Sequence, residues 1–210
     1  MFDGGLLMPN GQPLPAMLIK RSIEEALRLW SSVAPLHFTE VEDNGLPYNN
    51  PAATYGTIRF RHIHINGPDP APPADPIAKA QAYYPNTANV LGGDVEYDHS
   101  DRWQESGTRP NPDILGATIH ELGHSLGLGH SDLPASNMYW IFTRYTGLGQ
   151  GKLHADDIAG IQFIYGAGVG SLTTLAMHAP EPASWMLVVA GLLSWWTVRR
   201  RRPSQDGSAI

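Results

Sequence analysis

The 210-residue chain contains no cysteine. Disulfides, a thiolate nucleophile and cysteine-ligated zinc are therefore excluded, and a metal site has to be assembled from His, Asp and Glu. Charged residues are sparse, at 16%, and the net charge is −6. Arg199 to Arg202 stand together near the C-terminal end, so the body before Pro180 is more acidic than that net value suggests. An acidic body argues against nucleic acid as a partner. Internal repeats are absent. An apolar content of 42% is that of a globular chain, and the length gives room for one domain and a tail.

Periodicity supplies the elements. Ile19, Ile23, Leu27 and Trp30 recur at three-to-four spacing among Lys20, Arg21, Glu24, Glu25 and Arg28, which predicts an amphipathic helix over 18–33, stopped by Pro35. Strands are expected over 36–41 and 57–65, and short ones over 80–84 and 93–97. The stretch 67–76 holds too much proline for a helix or a central strand. Asn111-Pro112-Asp113 reads as a helix start with Asn111 as cap, and Gly127 or Gly129 as the break. A last helix is expected over 155–165, with Asp156 and Asp157 in its first turn and Gly166 after it. Strands first and helices after indicate α+β.

The second of these helices carries His120-Glu121-Leu122-Gly123-His124. At 3.6 residues per turn, positions i and i+4 project from nearly one face, so both imidazoles can reach one ion. Gly127 lets the chain turn back, and His130 can supply a third nitrogen. Three protein ligands with one open position is the pattern of a catalytic zinc site, and Glu121 sits one step round as general base. His62 and His64 share a strand face at i, i+2; a metal pair is the minor reading, and two histidines on a sheet face are more often solvated or packed. His37, His99, His154 and His178 have no partner spacing and are read as structural or surface groups.

HELGHSLGLGHS, followed by Ser136-Asn137-Met138-Tyr139, resembles the metzincin clan and most closely its matrixin family. IKRSIEEALRLWSSVAPLHFTEV, LGGDVEYDHSDRW and DDIAGIQFIYG are similar to other matrixin segments, so the resemblance runs over about residues 18–166. It implies a metzincin-type zincin fold: a twisted, mostly parallel sheet, an active-site helix and a small C-terminal subdomain. It implies an endopeptidase with one catalytic Zn2+ on His120, His124 and His130, Glu121 as acid-base residue, and Met138 as an apolar floor beneath the imidazoles. The substrate would be a protein or peptide. Where matrixins carry histidines of a second, structural zinc, this chain has Gln81 and Glu96, so that ion is not expected. Asp94, Asp98 and Asp101 match acidic positions that hold Ca2+ in the family, and hard carboxylate oxygens suit that ion; a solvated acidic loop is the competing reading. Trp140 replaces the usual proline at the wall of the specificity pocket.

After the expected catalytic domain (1–166) and a linker (167–179) come Pro180-Glu181-Pro182, an uncharged apolar run from Ala183 to Val198, and Arg199 to Arg202. As a helix the run spans about 24 Å, against about 30 Å of hydrocarbon core. This arrangement over 180–202 resembles the bacterial PEP-CTERM sorting signal, which implies an exosortase-type partner, membrane contact through this segment, a short cytoplasmic tail (203–210) and a catalytic body outside the cell. A permanent membrane anchor is the competing interpretation. Export further implies a signal upstream of Met1, since residues 1–20 have neither a basic start nor an apolar core of sufficient length. Two functional classes stand: an exported, surface-sorted zinc endopeptidase, or a non-catalytic surface or matrix protein that keeps the fold for binding.

Overall fold

The computed structural model describes residues 5–43, 46–47, 50, 58–66, 80–85, 91–105, 111–141 and 143–175. The first helix, α1 (Ala16–Ser31), starts directly after Pro15. It begins two residues before the apolar period does, because a proline at the start of a helix sacrifices no backbone hydrogen bond and the period marks only the buried face. Ile19, Ala26 and Trp30 form that face. Trp30 Nε1 donates to the carbonyl of Ile119 at 3.1 Å, which ties α1 to the second helix.

Two small sheets follow. Strand β1 (His37–Thr39) pairs in parallel with β5 (Ser171–Thr173), a strand inside the stretch expected to be linker. Strand β4 (Val95–Asp98) is the centre of the other sheet. It is parallel to β2 (Phe60–Ile63) on one side and antiparallel to β3 (Ala80–Ala82) on the other. Two of the three strand pairings among the described residues are thus parallel, and the antiparallel β3 edge makes the β2-β4-β3 sheet mixed.

Helix α2 (Ile114–Ser125) is buried along its whole length, and α3 (Ala155–Tyr165) packs beyond it. On one side Leu115, Ile119 and Leu122 meet Ala26, Trp30, Met138 and Ile161. On the other, Ile114 and Ala117 meet Leu6, Leu14, Ile19, Val95, Tyr97 and Trp103. Each large apolar side chain taken wholly from water here contributes roughly 1.5–3 kcal/mol before entropy is counted. The helix that carries the motif is thus the axle of both cores. No helix among the described residues is long and apolar enough to cross a membrane, and 180–202 lies outside them.

Candidate active site

The start of α2 differs from expectation. The cap is Asp113, whose Oδ1 accepts from the Gly116 amide at 2.7 Å. Asn111 is held two residues short of that role. Gln104 N donates to the Pro112 carbonyl at 3.1 Å and the Ile114 amide donates back to Gln104 O at 3.1 Å, keeping this entry extended. Asp113 is fully buried, and burial raises its carboxyl to about 6 against the hydrogen bonds from Gly116 and Tyr145 and the charge of Arg144.

One turn apart on α2, the rings of His120 and His124 lie with centroids 4.7 Å apart. His130 completes the group, its centroid 5.2 Å from His120 and 4.8 Å from His124. One nitrogen from each lies within 4.8 Å of the others, the one such group among the described residues. Gly127, at φ 101°, makes the reversal that brings His130 back. The Leu128 amide donates to Gly123 O at 3.0 Å and closes the turn.

Tautomers follow from the partners. His120 Nδ1 is 2.6 Å from the Asn137 carbonyl, and His124 Nδ1 is 2.7 Å from that of Leu128. A carbonyl only accepts, so both Nδ1 atoms carry hydrogen and both Nε2 atoms present lone pairs. Those two Nε2 atoms face each other at 3.1 Å. Two lone pairs at that distance repel unless a cation is shared between them, so the donor set fits a zinc-type ion. Burial, outweighing the Asn137 hydrogen bond, lowers His120 to about 4, and burial likewise lowers His124; both rings are neutral near pH 7, as ligands must be.

Glu121 is 7% exposed, and burial raises its carboxyl to about 8. Met138, 2% exposed, lies against α2 at Gly123: a Cβ there would come within 2.2 Å of the Met138 sulfur. Trp140 is 54% exposed, its ring 5.7 Å from that of Tyr139. The ring of Tyr84, just past β3, stands edge-on to His124 at 5.7 Å.

Asp157 is the residue that sequence reasoning missed. It was legible only as an acid in the first turn of α3. In the structure its carboxylate accepts from Ser136 Oγ at 2.5 Å, Asn137 N at 3.1 Å, Asn137 Nδ2 at 2.8 Å, Met138 N at 3.2 Å and His154 N at 2.8 Å. Burial by itself would raise this carboxyl, yet the hydrogen bonds from Ser136, His154 and Asn137 overcome it and hold it below the usual range. Asn137 is further fixed by Tyr145 Oη, which donates to its Oδ1 at 2.6 Å. Since Asn137 O accepts from His120, Asp157 positions the metal site through one intervening residue.

Gln81 and Glu96 are cross-strand partners, with Gln81 Nε2 donating to Glu96 at 2.5 Å, and Arg61 pairs with the same carboxylate. Of the acids expected around calcium, Asp94 pairs with Arg59 at 2.7 Å. Asp98 accepts from the amides of Asn66 at 3.0 Å and Ser100 at 2.8 Å. The proline-rich stretch 67–76 lies outside the described residues.

The Matrixin family matches residues 6–166. Human matrilysin is 36% identical over 161 residues, covering 73% of this chain and 52% of the relative. Pig interstitial collagenase is 36% identical over 164 residues (78% and 31%), and mouse stromelysin-1 is 31% identical over 166 residues (78% and 32%). The chain thus spans about half the length of the matrilysin and about a third of the other two.

Proposed function

From the premise that the chain belongs to the matrixin family, we propose that it is a zinc-dependent endopeptidase acting on proteins or peptides. The observation that carries this reading is the pair of Nε2 lone pairs at 3.1 Å, beside a buried carboxyl one residue along the helix. His120, His124 and His130 would hold the ion, with His130, the exposed one of the three, nearest to solvent. When bound, Zn2+ supplies Lewis acidity toward the scissile carbonyl and the attacking water. Glu121 takes the proton from that water and returns it to the leaving amine. Its buried setting, which raises the carboxyl to about 8, gives it proton affinity for both steps. The carbonyls of Asn137 and Leu128 hold the two rings in the ligating tautomer throughout.

The test uses the full chain, reconstituted with Zn2+ and given an unstructured protein substrate. Glu121→Gln is expected to lower the cleavage rate about 10²–10⁴-fold while zinc content is unchanged. Equal inertness of both forms with zinc bound would instead establish the non-catalytic binding reading.

The proposal extends to location. Pro180-Glu181-Pro182, the apolar run to Val198 and the four arginines support surface sorting by an exosortase-type enzyme, with the catalytic body outside the cell and released or anchored there. Replacement of Arg199–Arg202 by Ser should leave the protein unsorted; normal surface delivery of that variant would argue against the signal.

A further inference from the structure

Exposed apolar side chains scattered singly over a surface carry no message, whereas a group of them beside a reactive centre does. Three gather at the turn that ends α2. Tyr84 reaches it from the sheet. On β3, Gln81 and Tyr83 direct their side chains to the buried Glu96, while Ala80 and Ala82 pack with Ile114 and Ala117 of α2. The Tyr83 amide donates to Asp94 O and the Gly93 amide to Tyr83 O, both at 2.9 Å, so the pairing continues one residue past the strand. Faces alternate along an extended chain, which puts Tyr84 on the α2 side. Its ring meets that of His124 edge-on, with 66° between the planes, and still is 44% exposed.

The other two meet at Gly127. Pro85 Cγ lies 3.8 Å and Ile164 Cδ1 3.6 Å from where a Cβ on Gly127 would stand. Ile164 comes from the last turn of α3, which Tyr165 fixes to the same reversal by donating from Oη to Leu126 O at 3.0 Å. Pro85 is exposed, and Ile164 is 44% exposed. The proton transfers assigned to Glu121 use none of the three.

We propose that Tyr84, Pro85 and Ile164 form a specificity subsite that takes an apolar or aromatic side chain of the substrate on the His124 side of the metal centre. This rests on the peptidase reading, which makes the occupant a polypeptide. Continuity with the centre supports that occupant. An ion on His124 Nε2 sits about 2 Å from that nitrogen, so a chain bound at the ion passes within side-chain reach of the Tyr84 ring. An aromatic ring, a proline ring and a branched aliphatic chain lose little rotamer freedom on contact, and an apolar side chain frees water from them. A charged side chain there would give up hydration with nothing to replace it.

The test measures binding. Peptides from a randomised library are captured by the full chain carrying Glu121→Gln and loaded with Zn2+, so that nothing is cut, and the residues enriched at each position are read by mass spectrometry. Apolar and aromatic residues should be enriched at one position. A captured peptide with Phe there should bind about 10-fold tighter than its Ser counterpart. Tyr84→Ala and Ile164→Ala, each made in the same background, should shrink that ratio severalfold, whereas Tyr84→Phe keeps the ring and should preserve it. Loss of zinc or of folding would weaken both peptides together and leave the ratio unmoved. Absence of capture or of enrichment overturns the proposal, as does a Phe-to-Ser ratio that Tyr84→Ala leaves intact. Cleavage by the zinc-loaded parent is assayed separately. Cleavage without this selectivity sinks the subsite and keeps the peptidase reading; Tyr84-dependent selectivity without cleavage does the reverse.

Discussion

At the residue scale, the site divides into groups that would touch the ion and one that sets them. His120, His124 and Glu121 are legible from spacing, since a helix puts i and i+4 on one face wherever it lies, and His130 from the turn that Gly127 allows. Asp157 was not, because five hydrogen bonds converge on it from residues 136–154 and no local pattern encodes that convergence. Asp157→Asn keeps the shape but replaces one accepting oxygen by a donor, opposing either the Ser136 hydroxyl and Met138 amide at Oδ1 or the Asn137 and His154 amides at Oδ2. The expected cost is on the order of 2–3 kcal/mol in urea denaturation, with weaker zinc retention, because buried donors are left unsatisfied. A variant as stable and as zinc-loaded as the parent would remove Asp157 from its positioning role.

At the scale of the element, α2 shows how far a periodic reading reaches. Its existence and its chemistry were legible; its burial on every side was not, because a helix buried all round has no polar face to mark its orientation. Gly123 looked like the filler of the motif. It is where the Met138 side chain fits, and Gly123→Ala would push its methyl into the Met138 sulfur and the Trp30 ring. Destabilisation of about 1–3 kcal/mol is expected, read as a lowered thermal midpoint, with no offsetting gain from alanine's helix propensity.

The cap of the same helix predicts a pH dependence. Asp113 has its folded pKa raised to about 6 from 3.8, so between those values the folded state binds more protons than the unfolded one. Stability from this group is fully present below about pH 4 and is lost as pH rises through about 6. Asp113→Asn should therefore flatten that decline, by on the order of 2 kcal/mol, in denaturation curves collected from pH 4 to 7. An unchanged slope would show that Asp113 titrates normally.

At the scale of the whole molecule, the question is what an ion does for the fold. The β2-β4-β3 sheet is joined across its strands by Arg61, Gln81 and Glu96. The body around the metal centre is held by two apolar clusters that meet on α2. Chelation should therefore abolish peptidase activity yet leave the chain folded at 25 °C by far-UV circular dichroism. Zinc binding to the folded state only should still raise the thermal midpoint by about 10 °C at saturating metal, from roughly 4 kcal/mol of linkage. Global unfolding on chelation would mean that the ion, not the core, holds the domain.

The sequence by itself determined the α+β class, the three helices and the set of three histidines with Glu121, since each depends on periodicity, spacing or turn residues within a short window. Tertiary structure alone decided the rest. Long-range pairing put β5 beside β1 and made the β2-β4-β3 sheet mixed, because register is a property of two distant segments. Hydrogen bonds from Gln104 moved the cap from Asn111 to Asp113. Asp157 reached across to the turn that holds Met138, and Tyr84 came to stand beside His124. Local order is written in neighbours along the chain; these contacts exist only once the chain has closed on itself.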